Sequence, residues 1–248
     1  MILTVAFGKG GTGKTSTCAA LANYARMQGK HVLCVDADPQ ANFTFALGGN
    51  ASAPGLYAIL TGQAQAAQVI QHTQQADLIS AGRDLSAAEM VLMNLPGRDF
   101  VLKQALSPLR SRYDLIIIDT QPALNMLLYN ALTASDAVIL PMQANSFAVM
   151  GLYQMQMTID RIQSTTNSAL KVAGILLVKY KPRQTLASDL RSDIEQQAQG
   201  MRTKIFDTFI HEGIAVEQAQ AMQQSLFEYA PNSRPAADYK ALYEEIGL

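Results

Sequence analysis

The chain has 248 residues, of which 49% are hydrophobic, and a formal net charge of −1. This length favours one large α/β domain over residues 1–248, although two domains would also fit. The near-neutral charge gives no overall basic signature for nucleic acid, so DNA binding would need a local basic patch. The charged fraction of 16% is low for a globular protein, as expected for a surface that meets a partner or for a large buried sheet.

The composition also bears on the cellular compartment. We expect no signal peptide, and no apolar run reaches membrane-spanning length, so the prediction is a cytoplasmic protein. The amphipathic C-terminal segment 239–248 is acidic near its end, which argues against a basic membrane-anchoring helix. Cys18 and Cys34 lie on apolar stretches and are predicted to be buried free thiols.

Apolar strand-like runs alternate with helix-like segments along the chain, a pattern typical of a parallel sheet covered on both faces. Predicted strands are Ile2–Phe7, His31–Val35, Asp77–Ala81, Tyr113–Ile118, Ala137–Pro141, Val172–Val178 and a short Lys204–Phe206. Predicted helices are Ala19–Gln28, Pro54–Leu60, Leu85–Met93, Asp99–Leu109, Met126–Thr133, Met150–Ser164, Leu186–Gln199 and Ala236–Ile246. The Gln- and Ala-rich stretch Gly62–Gln75 fits either a helix or a surface connection. We therefore predict an α/β fold with a doubly wound, mostly parallel sheet flanked by helices on both faces.

A glycine-rich loop follows the first predicted strand and precedes a helix. Residues 8–15 match the phosphate-binding pattern G-x-x-x-x-G-K-[ST] in the strand–loop–helix context that it requires. Backbone N–H groups at the helix N-terminus would face the phosphates. Lys14 would reach the β- and γ-phosphates, and the Thr15 hydroxyl would ligate Mg²⁺. The predicted nucleotide-binding residues are Gly8, Lys9, Gly10, Gly11, Thr12, Gly13, Lys14, Thr15 and Ser16.

Two other interpretations of this loop remain. Gly8, Gly10 and Gly13 also match the dinucleotide-binding pattern G-x-G-x-x-G. That pattern does not require the Gly-Lys-Thr ending, and a ribose-binding acid does not stand alone at the end of the second strand. The third interpretation is a glycine-rich turn that binds no ligand.

Acidic residues follow the second and fourth long strands. Asp36 and Asp38, two residues apart, would lie where the carboxyl ends of strands form the ligand crevice, able to hold the waters of a metal or orient an attacking water. The alternative is a pair of turn-forming acids before Pro39. Asp119 ends the apolar run 115–118 in the Walker B pattern and would lie near Mg²⁺. Many buried strands end in Asp, so the assignment of Asp119 to a Walker B motif depends on the P-loop that precedes it.

Lys9 is a second lysine that an ordinary P-loop does not need. It can hardly fold back onto its own phosphates, but it could reach the nucleotide of a partner subunit. There it would stabilise charge on the transferring phosphoryl group, as an arginine finger does. The alternative is a solvated loop lysine.

Together these segments resemble the ParA/MinD ATPases. Residues 9–15 are similar to the deviant Walker A motif of that family, 36–42 to its paired acids followed by Pro-Gln, and 119–124 to its Walker B segment. Residues 141–143, 147–152, 206–219 and 226–246 resemble further family elements. The resemblance covers nearly the whole chain and is strongest to the ParA/Soj-like plasmid and chromosome segregation ATPases.

The resemblance implies a P-loop NTPase fold of the deviant Walker A type and an ATP-dependent homodimer with two nucleotides between the subunits. It implies that Lys9 contacts the partner's nucleotide, that Thr15 and Asp119 serve Mg²⁺, that Asp38 positions the hydrolytic water and that Asp36 supports the metal network. Adenine contacts come from the C-terminal third, where Pro231 and Asn232 are the candidates. It further implies ATP hydrolysis stimulated by a cargo-bound ParB-like partner, with nonspecific DNA binding and nucleoid association.

The chain departs from the family pattern at several positions. Phe7–Gly8 replaces the usual Asn-Gln, and Gln121 replaces the first proline after Walker B. Glu212 and Ala215 stand where many ParA proteins carry arginines that neutralise DNA phosphates. The remaining DNA-binding candidates, which could equally be scattered solvated charges, are Lys179, Lys181, Arg183, Arg191, Arg202 and Lys204.

No helix-turn-helix extension is expected ahead of the P-loop, so autorepression through an operator is not predicted. Three other functions compete with a partition ATPase. A MinD-like regulator would act on a membrane or protein matrix, but the basic C-terminal helix is missing. A reductase ATPase related to the nitrogenase iron protein would need a cluster-ligating cysteine, and neither Cys18 nor Cys34 is placed for that. A small-molecule kinase would have no use for Lys9.

Overall fold

The computed structural model describes residues 1–145, 148–180 and 185–248, with side chains described except at 148 and 185–191. A seven-stranded sheet has the order β3-β4-β2-β5-β1-β6-β7. Neighbouring strands pair in parallel except β3 and β4, which are antiparallel. The strands are β1 Ile2–Val5, β2 Val32–Ala37, β3 Ile70–His72, β4 Asp77–Ile79, β5 Leu115–Thr120, β6 Ala137–Met142 and β7 Lys171–Leu177.

Helices follow most of the strands. They are α1 Lys14–Met27, α2 Asn42–Ala46, α3 Leu56–Leu60, α4 Leu85–Met93, α5 Val101–Leu106, α6 Met126–Ala134, α7 Ala148–Thr165, α8 Thr185–Gly200, α9 Ile214–Ala221, α10 Leu226–Tyr229 and α11 Arg234–Ile246. Single 3₁₀ turns at Arg98–Phe100 and Ser107–Leu109 flank α5, so the predicted helix Asp99–Leu109 is three short pieces.

The central strands are buried on both faces, as a parallel sheet between helical layers requires. Along β5, Leu115 and Ile117 join an apolar cluster with residues of α1 and α11. Ile116 and Ile118 alternate with them and join a second cluster with residues of α4, α5 and α6. Successive side chains of a strand point to opposite faces, so this division confirms the predicted doubly wound α/β sheet.

Two sequence predictions at the edges of the sheet are corrected by the structure. Gly62–Gln75 holds a 3₁₀ turn and the edge strand β3, which pairs antiparallel with β4. Lys204–Phe206 forms no strand; it makes one bridge, between Ile175 and Ile205. The Phe206 ring is 2.5 Å from the position of a Cβ on Gly174, so it covers β7 at a place that only glycine leaves open.

Short helices account for the other differences. The sequence prediction omitted α2, α9 and α10, whose lengths give too little periodicity to detect. Cys18 and Cys34 are buried free thiols, as predicted. Within the described ranges, no helix is long and apolar enough to cross a membrane.

The topology brings the functional segments to one edge. β1, β2, β5 and β6 run parallel, so the loops that follow them all leave at the carboxyl edge of the sheet. Ligands of open α/β sheets bind outside this edge.

Candidate functional site

The glycine loop between β1 and α1 presents backbone N–H groups to the carboxyl edge. Gly11 and Gly13 have φ values of 72° and 75°, a left-handed conformation that favours glycine over residues with a Cβ. No side chain caps the start of α1 at Gly13, so the first N–H groups of the helix remain available to an anion.

Lys14 is folded over this loop. Its Nζ donates to the Lys9 carbonyl at 3.1 Å, and Thr12 Oγ1 donates to the same oxygen at 3.3 Å. Burial lowers the pKa of Lys14, while the charges of Asp119 and Asp38 act in the opposite direction. A phosphate would add negative charge beside this buried ammonium and further favour its charged form.

Thr15 and Asp119 form the centre of the site. Thr15 Oγ1 donates to Asp119 Oδ2 at 2.6 Å. Asp119 Oδ1 is buried without a hydrogen-bond partner in the described part of the chain. Burial, reinforced by the charge of Asp36, raises the pKa of Asp119 to about 8. The Thr15 hydroxyl beside a buried carboxylate with one oxygen unbonded among the described residues fits a hard cation such as Mg²⁺, which takes one or two protein oxygens, phosphate oxygens and waters.

Asp36 and Asp38 have different environments despite their spacing. Asp36 is fully buried; its Oδ2 accepts from the Thr44 N–H and Oγ1 at 2.7 and 2.8 Å. Its Oδ1 accepts from the Asp38 N–H at 3.0 Å. Burial raises the pKa of Asp36 to about 6, although these hydrogen bonds oppose the shift. With both oxygens occupied by the protein, Asp36 is suited to hold the loop of Asp38 and less suited to bind a metal directly.

Asp38 itself lines the cleft in front of the glycine loop. Its Oδ1 accepts from the Gln40 N–H at 2.9 Å, which fixes the carboxylate in an Asx-type turn. Its other oxygen has no hydrogen-bond partner among the described residues. Asp38 can therefore orient a water molecule.

A cleft of about 500 Å³ extends from the glycine loop to the C-terminal third of the chain. Ser16 on α1 donates to Gln220 Oε1 of α9 at 3.4 Å across one side of it. The lining residues from the C-terminal half are Val178, Lys179, Ile210, His211, Glu212, Gly213, Val216, Glu217, Gln220, Ala221 and Tyr239. Pro231 and Asn232, the predicted adenine contacts, are exposed and do not line this cleft.

Lys9 lies at the outer rim of the loop. Its Nζ donates to Asn145 Oδ1 at 3.4 Å, and Gln143 Nε2 donates to the Gly11 carbonyl at 3.0 Å. The loop after β6 thus supports the glycine loop from the side. Lys9 is exposed to solvent, in contrast to Lys14.

The turn after β5 is tied to α4 through one carboxylate. Glu89 Oε1 accepts from Gln121 Nε2 at 3.2 Å and from Asn125 Nδ2. Asn125 Oδ1 also caps α6 by accepting from the Leu128 N–H. Gln121, which departs from the family proline, therefore takes part in a defined contact.

The side chains of three predicted DNA-binding candidates, Lys179, Arg202 and Lys204, are described by the structure. Lys179 lines the cleft and pairs with Glu217 at 3.6 Å, and Lys204 pairs with Glu245 at 2.8 Å. Arg202 is exposed. Lys181 and Arg183 lie outside the described residues, as does the side chain of Arg191.

The sequence analysis did not single out His211, Gln220 or Glu89. Each depends on a partner far along the chain: Asp238, Ser16 and the turn after β5, respectively. No local motif marks such pairs. In the sequence, His211 is marked only by being titratable and by lying next to Glu212, in the stretch where many ParA proteins carry arginines.

The fold and the glycine loop are those of the deviant Walker A class of P-loop NTPases. The comparisons with known proteins agree. A family model described as an AAA domain matches residues 1–172. The sporulation initiation inhibitor protein Soj of Bacillus subtilis is 35% identical over 99% of this chain and 97% of its own length. The chromosome partitioning protein ParA of Caulobacter vibrioides is 32% identical over 99% and 93%.

A solved structure resembles the chain as well. The cobyrinic acid a,c-diamide synthase of Mycobacterium smegmatis, solved with a bound ATP analogue and magnesium, superposes with a TM-score of 0.80 at 31% identity. The match covers 98% of this chain and 92% of that one. The chain belongs to the ParA/Soj family of P-loop ATPases.

Proposed function

We propose that the protein hydrolyses ATP at the interface of a nucleotide-dependent homodimer and uses this cycle to partition or position a cargo. The observation that carries the proposal is the difference between the two lysines of the glycine loop: Lys14 is buried against the loop, whereas Lys9 is exposed at its rim. A lysine at the rim lies where the surface of a second copy could meet the loop. It suits a site completed by a second copy of the chain.

ATP and Mg²⁺ are the proposed ligands of the cleft. The N–H groups of the loop and Lys14 would hold the β- and γ-phosphates, and Thr15 with Asp119 would hold the metal. Magnesium, when bound, supplies positive charge against the phosphate oxygens. The orphaned Asp119 Oδ1 supports this assignment.

Each of the polar site residues has a separate role in the proposed hydrolytic step. Asp38 orients a water in line with the γ-phosphorus, and Asp36 fixes the Asp38 loop through the 3.0 Å backbone contact. As the new P–O bond forms, the bond to the ADP oxygen breaks. Lys14 and the partner's Lys9 stabilise the charge on the transferring group.

We further propose that the ATP-bound dimer holds nonspecific DNA in a cytoplasmic, nucleoid-associated pool, and that a cargo-bound ParB-like protein stimulates hydrolysis and release. The family membership supports this proposal. Glu212, Ala215 and the carboxylate-paired Lys179 and Lys204 favour the alternative, a protein matrix, because they reduce the basic charge available to DNA phosphates.

Binding experiments on the Asp38→Ala protein distinguish a DNA matrix from a protein matrix. Its binding to random-sequence duplex DNA is measured with ATP and with ADP across a salt series. DNA partitioning predicts binding only with ATP, weakening steeply as salt rises. A dimer that forms with ATP but does not bind DNA would overturn the DNA proposal and favour the protein matrix. Binding to anionic vesicles tests the remaining alternative, a MinD-like membrane matrix.

A further inference from the structure

The C-terminal part of the cleft lining contains an imidazole held in a fixed setting. His211 lines the cleft, and its side chain is 20% exposed. Its Nδ1 lies 2.8 Å from Asp238 Oδ2 on α11, and its own backbone N–H donates to the same oxygen at 2.9 Å. The Phe209 ring packs against it with centroids 4.6 Å apart. Side chain, backbone and ring contacts therefore all restrict its orientation.

These contacts determine which ring nitrogen can accept a hydrogen bond. A carboxylate only accepts, so Nδ1 must carry the proton that is shared with Asp238. In the neutral ring the lone pair is then on Nε2. Nε2 has no hydrogen-bond partner among the described residues. The cleft thus contains a preorganised acceptor that the phosphate chemistry does not use.

The surroundings of His211 suit a flat heterocycle. Val178, Ile210 and Val216 also line this cleft, and Val178 packs against Gly13 of the glycine loop. A nucleotide anchored by its phosphates at the glycine loop would extend its base along this apolar lining. Binding sites of this kind combine apolar walls with a few directional polar groups that decide specificity.

We propose that His211 selects adenine, its Nε2 accepting a hydrogen bond from the 6-amino group of the base. Hypoxanthine and guanine present an oxygen at that position, which would meet the lone pair of Nε2 and leave both acceptors unpaired. Sites built around such a hydrogen bond reject analogues that cannot make it. The inference rests on the proposed function, because it assumes that the cleft holds a nucleotide.

The test is a competition experiment on the full chain with MgCl₂, in which ADP or IDP displaces a fluorescent ADP. Diphosphates are used because they are not hydrolysed. IDP differs from ADP only in the oxygen that replaces the 6-amino group and in the proton that N1 then carries. The wild type should favour ADP by about tenfold or more, the value of one net hydrogen bond. His211→Ala should reduce that preference to within about threefold. His72→Ala is the matched control, since His72 makes the same Nδ1–carboxylate contact with Asp77 outside the cleft lining.

Asp238→Leu provides a second variant. It removes the oxygen that accepts from both the backbone N–H and the Nδ1–H of His211, so neither the ring orientation nor its tautomer is fixed any longer. The preference for ADP should then fall to within about threefold, as in His211→Ala. Thermal denaturation checks that each variant is folded.

The outcomes separate the two proposals. A wild type without ADP preference, or variants that keep the wild-type ratio, would overturn the role of His211 and leave the ATPase proposal standing. Failure of the wild type to bind either diphosphate would overturn nucleotide binding itself.

Discussion

At the scale of single residues, the two lysines of the glycine loop differ in burial and in contacts. Lys14 is 7% exposed and bonded to the Lys9 carbonyl, whereas Lys9 is exposed and reaches Asn145. A buried lysine can bind phosphate within its own subunit. An exposed one at the rim lies where it could reach another subunit, and the proposed roles of the two lysines follow from this difference.

Substituting each lysine should therefore give a different defect. Lys14→Ala should lose nucleotide binding, measured by displacement of a fluorescent ADP. Lys9→Ala should keep that binding, lose turnover and dimerise more weakly with ATP, measured by phosphate release and sedimentation. Lys30→Ala, at an exposed lysine beyond α1, serves as control. Normal turnover by Lys9→Ala would contradict the role in the partner's site.

Asp119 illustrates the conflict between stability and function at one residue. Its carboxyl is fully buried, and one oxygen has no hydrogen-bond partner in the part of the chain that the structure describes; this costs folding free energy in the absence of a cation. Asp119→Asn should raise the melting temperature of the nucleotide-free protein by roughly 2–4 °C, equivalent to about 1 kcal/mol. The same variant should lose the magnesium dependence of nucleotide binding. An unchanged magnesium dependence in titrations would exclude Asp119 as a metal residue.

At the scale of elements, the turn after β5 is fastened to α4 by Glu89. Glu89→Ala removes the acceptor shared by Gln121 and Asn125 and should cost about 1 kcal/mol of unfolding free energy. Because the turn continues directly from Asp119, kcat should fall while diphosphate affinity changes little. Glu195→Ala, on α8, provides a control glutamate outside the cleft lining. Unaltered kcat in Glu89→Ala would show that the contact is only structural.

Helix α11 is anchored by Glu245, which accepts from Lys204 Nζ and from the N–H groups of Asp207 and Thr208. These hydrogen bonds hold the pKa of Glu245 below its usual value. A depressed carboxyl pKa adds stability above the unfolded-state pKa, and that stability disappears as the pH falls through the lower folded-state value.

Glu245→Gln should therefore be less stable than the wild type at neutral pH by about 1 kcal/mol. The difference should shrink as the pH falls below about 4.5, the ordinary pKa of glutamate. Urea denaturation at several pH values measures both quantities. A difference that is independent of pH would exclude the ionised carboxylate as its cause.

The elements also show how far sequence reasoning extends. That Gly8–Thr15, Asp38 and Asp119 lie together at the carboxyl ends of the strands could be predicted, because each follows a strand in a local motif. The contact between His211 and Asp238 could not be predicted, because the two residues are 27 positions apart and no spacing rule joins them. Pro231 and Asn232 were placed by resemblance alone, and the structure puts them outside the cleft. β3 was missed because three residues carry too little alternation.

At the scale of the whole molecule, the proposed reaction needs two copies of the chain. The P-loop, Asp38 and the Thr15–Asp119 pair lie on one chain, and Lys9 is expected to come from the other. A C₂ dimer brings each Lys9 to the partner's nucleotide and yields two equivalent sites. In this proposed arrangement hydrolysis would be conditional on assembly, as cargo release in the proposed partition cycle requires.

The most direct test mixes two inactive variants, Lys9→Ala and Asp38→Ala, with ATP and measures phosphate release. In the mixed dimer, the site of the Lys9→Ala chain keeps its own Asp38 and receives Lys9 from the partner. Equal mixing should restore about a quarter of wild-type turnover, since half of the dimers are mixed and each has one intact site. The double variant mixed with Asp38→Ala should restore none. If the two single variants stay inactive when mixed, although sedimentation shows that mixed dimers form, then Lys9 does not act on the partner's nucleotide.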